Sequence, residues 1–514
     1  MHLLFEFPHH LTVEHFIAKL SNKYQPYLDS QHESHVTFYD SFDWRLYSAG
    51  ISCEITQAKN ELSLTLIELA LNQGIASEAI ASVPVFVNDI ASESLQLTLA
   101  PILEMRALMP LGTITLQRFR LNILNDDQKI VVRVVIDESP SLPNRLSVLP
   151  VKGYDKACEH LIETLISHPI NLTPIHQPLL PAALQLIGRK ANDYSSKLNV
   201  DLAPELRADI ACKYLYSHLL NAMKANEQGV IAEIDSEFLH DFRVAVRRTR
   251  AGLSQLKGVL PEDINARYIE FFSWLGQITG PTRDLDVHLL NFEHYKNSLP
   301  EAIREDINPL HDFLRAKQKK AQQDLAKKLR SDRYLNTLAD WEAFLKASPD
   351  KNPVEANAQL NIKELADRRI WKMFIRAIKE GQLITRHSDA EELHELRKTG
   401  KKLRYLMEFF QSLYPESQIK HLIKNLKSLQ EVLGDFQDYA VQESNLRLFS
   451  DEMINLNTPA NTFLAMGVLI QELDTRKYHA RRHFTARFAE FASTENLQAF
   501  ADLFSDNKPK RKSL

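Results

Sequence analysis

The pattern of apolar and polar positions changes character along the chain. Up to residue 165, four segments alternate apolar and polar positions and are rich in β-branched residues: 37–55, 61–69, 113–123 and 130–138. This alternation is typical of strands that bury one face. Beyond residue 200, apolar residues recur at helical spacing. The sequence therefore predicts an α+β multidomain chain, with an antiparallel β-sheet or β-barrel followed by an all-α region.

The helical region contains two stretches that match at a constant offset. HDFRVAVRRTR begins at His240 and HELRKTGKKLR begins at His394, so the offset, 394 − 240, is 154 residues. The same offset places GPTRDLDV, from Gly280, on GDFQDYAV, from Gly434. Solenoid repeats have much shorter periods, about 20 to 50 residues. The pattern therefore predicts two copies of one helical bundle.

Each copy places its basic residues on one side of a helix. At about 100° per residue, His240, Arg243, Arg247 and Arg250 fall on one stripe that is less than about a quarter-turn wide. The second copy repeats the stripe with His394, Arg397, Lys401 and Arg404. Apolar residues supply the face that anchors each helix to its bundle: Leu239, Phe242, Val246 and Leu253 in the first copy, and Leu393, Leu396, Leu403 and Met407 in the second.

Runs of arginine and lysine are usually solvated faces that are interleaved with acids. Here residues 243–257 contain five Arg or Lys and no acid, and residues 397–404 contain five and none, although the whole chain has 62 basic and 66 acidic residues. A local, duplicated excess of cations indicates an anion-binding site. The two histidines then either donate to the same ligand or orient its first arginine.

These residues carry a resemblance to a known family. The region from about 200 to 505 resembles the CHAD domain, the conserved histidine α-helical domain. The first half supplies His240, Arg243, Arg247, Arg248 and Arg250, followed by Leu275, Gly276, Arg283, Asp284 and Asp286. The second half supplies His394, Leu396, Arg397, Lys401, Leu403, Arg404 and Tyr405, followed by Leu429, Gln430, Leu433, Gly434 and Asp438.

The resemblance implies two helical bundles related by a pseudo-twofold axis, with basic helices that face each other and bind inorganic polyphosphate. Arginine suits this ligand because its planar fork donates to two phosphate oxygens at once. Asp284 and Asp438 are expected to hold arginines or cap helices. The predicted polyphosphate-binding residues are His240, Arg243, Arg247, Arg248, Arg250, Arg283, His394, Arg397, Lys398, Lys401, Lys402 and Arg404.

Residues 1–165 resemble a CYTH domain, the triphosphate tunnel fold, through FYDSFDWRLYSAGIS, TLQRFR, VVIDE and PVKGYDKA. Active members of that family open with an ExExK strand that holds a divalent metal and the triphosphate. The aligned opening here, His2 to Glu6, lacks the acid pair and the lysine, and Glu54, Thr56 and Glu68 stand where the family has basic residues. We therefore expect a degenerate, non-catalytic module. The remaining candidate tunnel cations are Arg106, Arg118, Arg120 and Arg133.

At 514 residues the chain is too long for a single core. The sequence predicts a CYTH-like domain at 1–165, a proline-containing linker at 166–200, a CHAD domain at 201–505 with repeats at about 205–350 and 360–500, and a basic tail at 506–514. Neither a signal peptide nor a membrane span is predicted. A cytoplasmic location is expected. If the protein binds polyphosphate, it would also associate with polyphosphate granules.

Three functional hypotheses follow from the sequence. The first is polyphosphate binding without catalysis and without a cofactor. The second is an inorganic triphosphatase, which would require Mg²⁺ or Mn²⁺. The third is binding of nucleic acid or another polyanion, which the lack of an aromatic-interleaved basic surface disfavours.

Overall fold

The computed structural model describes residues 3–59, 61–385 and 387–505. His2 and the predicted basic tail at 506–514 lie outside the described residues. The chain divides into two compact units, Met1–Ser195 and Ser196–Leu514. The first unit is built on a β-sheet and the second is helical, as the sequence pattern predicts.

The first unit is a nine-stranded antiparallel sheet within the described residues. Its order is β5-β4-β3-β2-β6-β7-β8-β1-β9, so the long strands β2 and β6 form the centre. The strands are β1 (Leu3–Glu6), β2 (Gln25–Asp40), β3 (Ile51–Ala58), β4 (Glu61–Glu68), β5 (Gln73–Ile80), β6 (Met109–Leu124), β7 (Ile130–Glu138), β8 (Arg145–Pro150) and β9 (Thr173–Ile175).

Five helices cover the apolar side chains of this sheet: α1 (Val13–Leu20), α2 (Arg45–Ser48), α3 (Glu93–Leu103), α4 (Asp155–Ile166) and α5 (Leu179–Leu186). The predicted segment 37–55 is two strands with α2 between them. Asp40 ends β2 because its carboxylate accepts hydrogen bonds from the backbone N–H groups of Ser41, Leu46 and Tyr47, at 2.7, 2.9 and 2.9 Å.

The structure differs from the expectation of a linker at 166–200. Strand β9 pairs with β1 inside this stretch, and the apolar face of α5 is buried against β2 and β6. Leu180, Ala183 and Leu184 form that face. The prolines suggested a linker, but the burial of these side chains outweighs them, and the division between the units falls at 195/196.

The second unit consists of helices. They are α6 (Ala208–Ala232), α7 (Ser236–Gln255), α8 (Glu262–Leu290), α9 (Phe292–Ser298), α10 (Asn308–Leu329), α11 (Asp332–Lys346), α12 (Ile362–Leu383), α13 (Ala390–Phe409), α14 (Glu416–Ile454), α15 (Ala460–Phe491) and α16 (Thr494–Phe504). In the described part of the chain, no helix combines the length and the apolar character that a membrane crossing requires.

The helix boundaries confirm the duplication. Helices α6, α7 and α8 begin at 208, 236 and 262, and α12, α13 and α14 begin at 362, 390 and 416, so each pair is separated by the offset of the sequence repeat. Equivalent residues also meet in space. Ala208 N donates to Leu360 O at 2.9 Å, and Ile362 N donates to Leu206 O at 2.8 Å. Because 206 matches 360 and 208 matches 362, these two bonds are reciprocal, as at an isologous twofold interface.

Helices α7 and α13 pack against each other beside this pseudo-twofold axis. All eight apolar side chains predicted to anchor the two helices are buried, at 3% exposure or less. Gly252 of α7 permits a close approach, because a Cβ there would lie 2.8 Å from Tyr216 Cε1 and 3.4 Å from Phe409 Cε2. The tight approach is to Tyr216 of α6, and Phe409 of α13 lies at van der Waals distance on the other side, so Gly252 packs α7 closely against α6 and beside α13.

We expect the Gly252→Ala variant to be destabilised by about 1–3 kcal/mol, because the added methyl group overpacks a buried contact. The matched control is Gly467→Ala in α15, where a Cβ meets nothing within 4 Å. That variant should gain up to about 1 kcal/mol from helix propensity alone. Chemical denaturation of both variants measures the difference, and equal effects would contradict the packing at Gly252.

Candidate functional site

Helix α7 begins at a side-chain cap that fixes the start of the first basic stripe. The Asp235 carboxylate accepts hydrogen bonds from Glu237 N and Phe238 N at 2.9 and 3.2 Å. Two turns later, Arg243 reaches α8, where its Nη1 donates to Gly276 O at 3.2 Å and to Thr279 Oγ1 at 2.7 Å. Both acceptors are neutral, so Arg243 is positioned but its charge is not compensated by them.

The two histidines are held in the same way by equivalent residues. Arg283 Nη2 lies 3.0 Å from His240 Nδ1, and Gln437 Oε1 lies 2.8 Å from His394 Nδ1. The repeat offset makes Gln437 the counterpart of Arg283. Because arginine only donates, neutral His240 carries its proton on Nε2, whereas the Gln437 carbonyl oxygen favours a proton on Nδ1 of His394. The duplicated histidines thus occupy one geometry with different tautomers.

Arg283 has further partners that fix it on α8. It donates to Ser236 O at 3.2 Å and forms a long ion pair of 3.8 Å with Glu237. Among the residues predicted to bind polyphosphate, Arg283 therefore orients His240. That Arg283 also contacts polyphosphate remains a prediction.

In the second copy, the cations have acidic partners. Arg397 Nη2 donates to Asp438 Oδ1 at 3.0 Å, Lys398 pairs with Glu395, and Arg404 Nε lies 3.6 Å from Glu408 Oε1. The expectation that Asp438 holds an arginine is confirmed. Asp284, at the equivalent place in the first copy, influences Arg243 electrostatically.

Glu408 connects the two copies. Its carboxylate accepts a hydrogen bond of 2.9 Å from Arg248 of α7 while it also faces Arg404 of its own helix. Arg248 in addition donates to Ser196 O at 3.2 Å. The structure therefore places Arg248 in an ion pair between the helices, which is a positioning role, and its predicted contact with a ligand is less favoured.

Arg247 and Lys401 are equivalent residues on the two packed helices α7 and α13, and Arg247 is close enough to act electrostatically on Lys401. Burial, followed by repulsion from Arg397 and Arg247, lowers the pKa of Lys401 to about 8. Burial, followed by repulsion from Arg247, lowers the pKa of Arg243 to about 10. The Lys401 shift joins cations of both copies, because Arg247 of the first copy acts on it. The cations that act on Arg243 all belong to the first copy: Arg247, Arg283 and Arg250. In both places burial disfavours the charge and neighbouring cations add to that effect.

The remaining predicted ligands flank this centre. Arg250 is exposed and its Nη1 lies over Gly276, 3.4 Å from where a Cβ would be, while Lys402 is half-buried on α13. The stripes therefore bring together Arg243, Arg247 and Arg250 with Arg397, Lys401 and Arg404. Lys398 is exposed beside Glu395.

Sequence reasoning missed three contributors to the site: Thr279, Gln437 and Glu408. The constant offset between the copies could have identified Gln437 as the counterpart of Arg283. Glu408 follows Arg404 by four residues and so lies on the same stripe, but the acid-free window of 397–404 ends before it. The pairing of Glu408 with Arg248 carries no sequence signal, because it depends on how the two copies meet.

In the first unit, the candidate tunnel cations are partly neutralised. A cavity of about 600 Å³ is lined by Arg118, Arg120, Arg133 and Asp137 among others. Arg118 donates to both carboxylate oxygens of Asp137, at 2.6 and 2.8 Å. Glu54 is buried close to Arg118, and its burial raises its pKa to about 7.

Arg106 is not a tunnel cation exposed on a strand. It lies between α3 and β6, is 1% exposed, and forms an ion pair of 3.2 Å with Asp43. Its buried position corrects the expectation from sequence, which could not tell a tunnel arginine from one that is enclosed in the core of the unit.

The family comparison agrees with this architecture. Residues 215–447 match the family model of the CHAD domain, so the helical unit contains a CHAD domain. Two Mycobacterium tuberculosis sequences from different strains, both described as uncharacterised proteins, are 26% identical over 236 residues. That match covers 46% of this chain and 44% of each relative, so it spans less than half the length of the relatives.

Two solved structures are similar to separate parts of the chain. The CHAD domain from the plant Ricinus communis is 23% identical with a TM-score of 0.48, over 57% of this chain and 95% of that one. A putative adenylyl cyclase from Hippeastrum, described as having a dominant triphosphatase activity, is 14% identical with a TM-score of 0.27, over 38% of this chain and 98% of that one. At these scores the similarities carry no argument about function.

We expect the Lys401→Met variant to be more stable than the wild type at pH 7. The folded pKa of Lys401 is about 8 and its ordinary value is 10.5, so between these pH values the unfolded chain holds the proton more tightly. The contribution of Lys401 to stability therefore rises with pH over that window, and at neutral pH its charge is a cost.

Thermal unfolding of wild type and variant between pH 7 and 10 measures this effect, and the difference should shrink as the pH rises. Lys320→Met, on the exposed face of α10, is the matched control. A variant that is less stable than wild type at pH 7 would show that Lys401 is not repelled by its neighbours.

Proposed function

We propose that this protein binds inorganic polyphosphate between α7 and α13 of its CHAD domain. The observation that supports the proposal is the cluster of cations on two equivalent helices, where burial, followed by repulsion from Arg397 and Arg247, lowers the pKa of Lys401 to about 8. Without an anion, keeping these charges partly buried costs stability. A polyanion converts the repulsion into attraction.

The shape of the cluster favours a linear ligand. His240 and Arg247 lie on α7, and His394 and Lys401 lie at the equivalent positions of α13. The seven residues from His240 to Arg247 correspond to a rise of about 10 Å along α7. Cations therefore follow each other along both α7 and α13, as an extended chain of phosphates requires. A compact anion would contact the cations of only one helix.

The chemistry of the donors is suited to phosphate in particular. Arg243, Arg247, Arg250, Arg397 and Arg404 offer planar forks, which bind phosphate oxygens in pairs. Phosphodiester backbones offer the same oxygens, so DNA or RNA is an alternative occupant. Nucleic acid is less favoured because none of these residues is interleaved with an exposed aromatic side chain for base stacking.

For the first unit we propose a role without catalysis. Asp137 and Glu54 already face Arg118, so these carboxylates act as internal counter-charges. A metal-dependent triphosphatase instead needs its carboxylates to hold the metal.

The first test is the titration of the purified full-length protein with polyphosphates of defined length. Replacing Arg243, Arg247, Arg397 and Lys401 with alanine should lower the affinity by roughly 100-fold or more, because four charge-assisted contacts are lost. The helical circular dichroism signal should be unchanged. The matched control replaces four exposed lysines of α10 with alanine: Lys319, Lys320, Lys327 and Lys328.

The control has the same net charge as the site variant, so an equal loss of affinity in both would mean non-specific attraction and would contradict the site. Affinity of the wild type should also fall as salt increases, because bound phosphates release counterions. Displacement by short polyphosphate of bound duplex DNA, but not the reverse, separates the two polyanions.

The second test is a phosphate-release assay on tripolyphosphate with Mg²⁺ or Mn²⁺. We expect no turnover above the rate of buffer alone, because Asp137 in the arginine-lined cavity is already paired with Arg118. Release at ordinary enzymatic rates, about 1–1000 s⁻¹, that is lost in the Arg118→Ala variant would establish a triphosphatase in the first unit.

A further inference from the structure

We propose that the two copies are unequal: the first copy holds the tight anion subsite, around Arg243 and Arg250, and carboxylates of the second copy, chiefly Glu408, act as built-in competitors of the ligand. This inference rests on the proposed function and specifies how that site is divided. Each residue of the first copy can be compared with its counterpart 154 residues later in the same chain.

In the first copy, the cations are positioned by neutral groups. Arg243 donates only to Gly276 O and Thr279 Oγ1, and Arg250 lies exposed above Gly276. Within the described residues, no carboxylate lies within ion-pair distance of either arginine. Asp284 acts on Arg243 through space without pairing with it directly, and burial raises the pKa of Asp284.

In the second copy, the equivalent cations are paired with acids. Arg397, the counterpart of Arg243, donates to Asp438. Arg404, the counterpart of Arg250, faces Glu408. The position equivalent to Glu408 is Ser254, whose hydroxyl donates to Ala251 O at 2.9 Å and brings no charge. The exchange of serine for glutamate at this position is therefore one cause of the electrostatic difference between the two copies.

The two acids differ in strength as competitors. The side chain of Asp438 is 61% exposed, so water screens its pairing with Arg397. Glu408 is 14% exposed; it accepts a hydrogen bond from Arg248 at 2.9 Å and lies 3.6 Å from Arg404 Nε. Glu408 is therefore the carboxylate that a phosphate group must outcompete, because its interactions are the less screened of the two.

An anion meets different conditions on the two sides. Beside Arg243 and Arg250 it adds hydrogen bonds to cations that no carboxylate pairs with directly in the described residues. Beside Arg404 it approaches Glu408, whose carboxylate lies 3.6 Å from Arg404 Nε and repels the anion. The first copy is therefore the anchoring side, and the second copy extends the contact only for ligands long enough to reach Arg397 and Lys401.

The first experiment compares Arg243→Ala with Arg397→Ala by titration with the same polyphosphate. We expect the loss of affinity in Arg243→Ala to be roughly ten-fold larger, because an arginine without a direct carboxylate partner contributes more than a paired one. For tripolyphosphate, which is too short to span both helices, the difference between the two variants should be larger still.

The second experiment changes the carboxylate itself. Glu408→Gln should bind polyphosphate roughly three- to ten-fold more tightly, and Ser254→Glu should bind it more weakly by a similar factor, because one removes and the other adds a negative charge beside the site. The control is Glu416→Gln at the exposed start of α14, where no change is expected. Because Ser254→Glu keeps the Glu408–Arg248 ion pair, it tests the idea even if Glu408→Gln folds poorly.

The possible failures are distinguishable. If the wild type does not bind polyphosphate at all, the proposed function is wrong and this inference is wrong with it. If the wild type binds but Arg243→Ala and Arg397→Ala lose affinity equally, the copies are equivalent and only this inference is overturned. Unchanged affinity in both Glu408→Gln and Ser254→Glu would likewise exclude the carboxylate as a competitor.

Discussion

The meeting of equivalent residues at the pseudo-twofold axis is the constraint on which the rest of the helical unit depends. A duplicated sequence that pairs 206 with 362 and 208 with 360 must also bring its equivalent helices together. A cation placed near the axis therefore acts on its own counterpart, as Arg247 acts on Lys401. The repulsion is a consequence of the duplication, and the buried apolar anchors of α7 and α13 hold these helices in their bundles against it.

The two copies have moderated this repulsion in different ways. Polar neutral groups of α8 hold the arginine of the first copy, whereas carboxylates of α13 and α14 hold the arginines of the second. The histidines show the same divergence, because Arg283 and Gln437 give equivalent rings different tautomers. The duplication thus places equivalent side chains at equivalent positions. The neighbouring group that each cation pairs with determines how much of its charge remains for an anion.

The sequence was sufficient for features that depend on periodicity. The constant offset between the copies predicted the duplicated bundle, which the starts of three helix pairs confirm, and the helical wheel predicted the buried anchors such as Phe242 and Leu403. It was insufficient where contacts join distant segments. The ion pair of Arg248 with Glu408 depends on the crossing of two helices, and Arg106 is enclosed by packing that no local pattern encodes. The stretch at 166–200 failed as a linker because prolines are visible in a sequence, whereas the surface that buries α5 is not.

The reciprocal backbone bonds at 206–208 and 360–362 have the form of a homodimer interface that is closed within one chain. In a true homodimer every substitution appears twice, so an acid at one position would neutralise both sides of the groove. A covalent connection removes that restriction, because the second half is always present at high effective concentration and need not be identical to attract its partner. Within one chain, residues 254 and 408 can therefore differ, and the two sides of the groove can differ in charge, which an exact twofold axis would not permit.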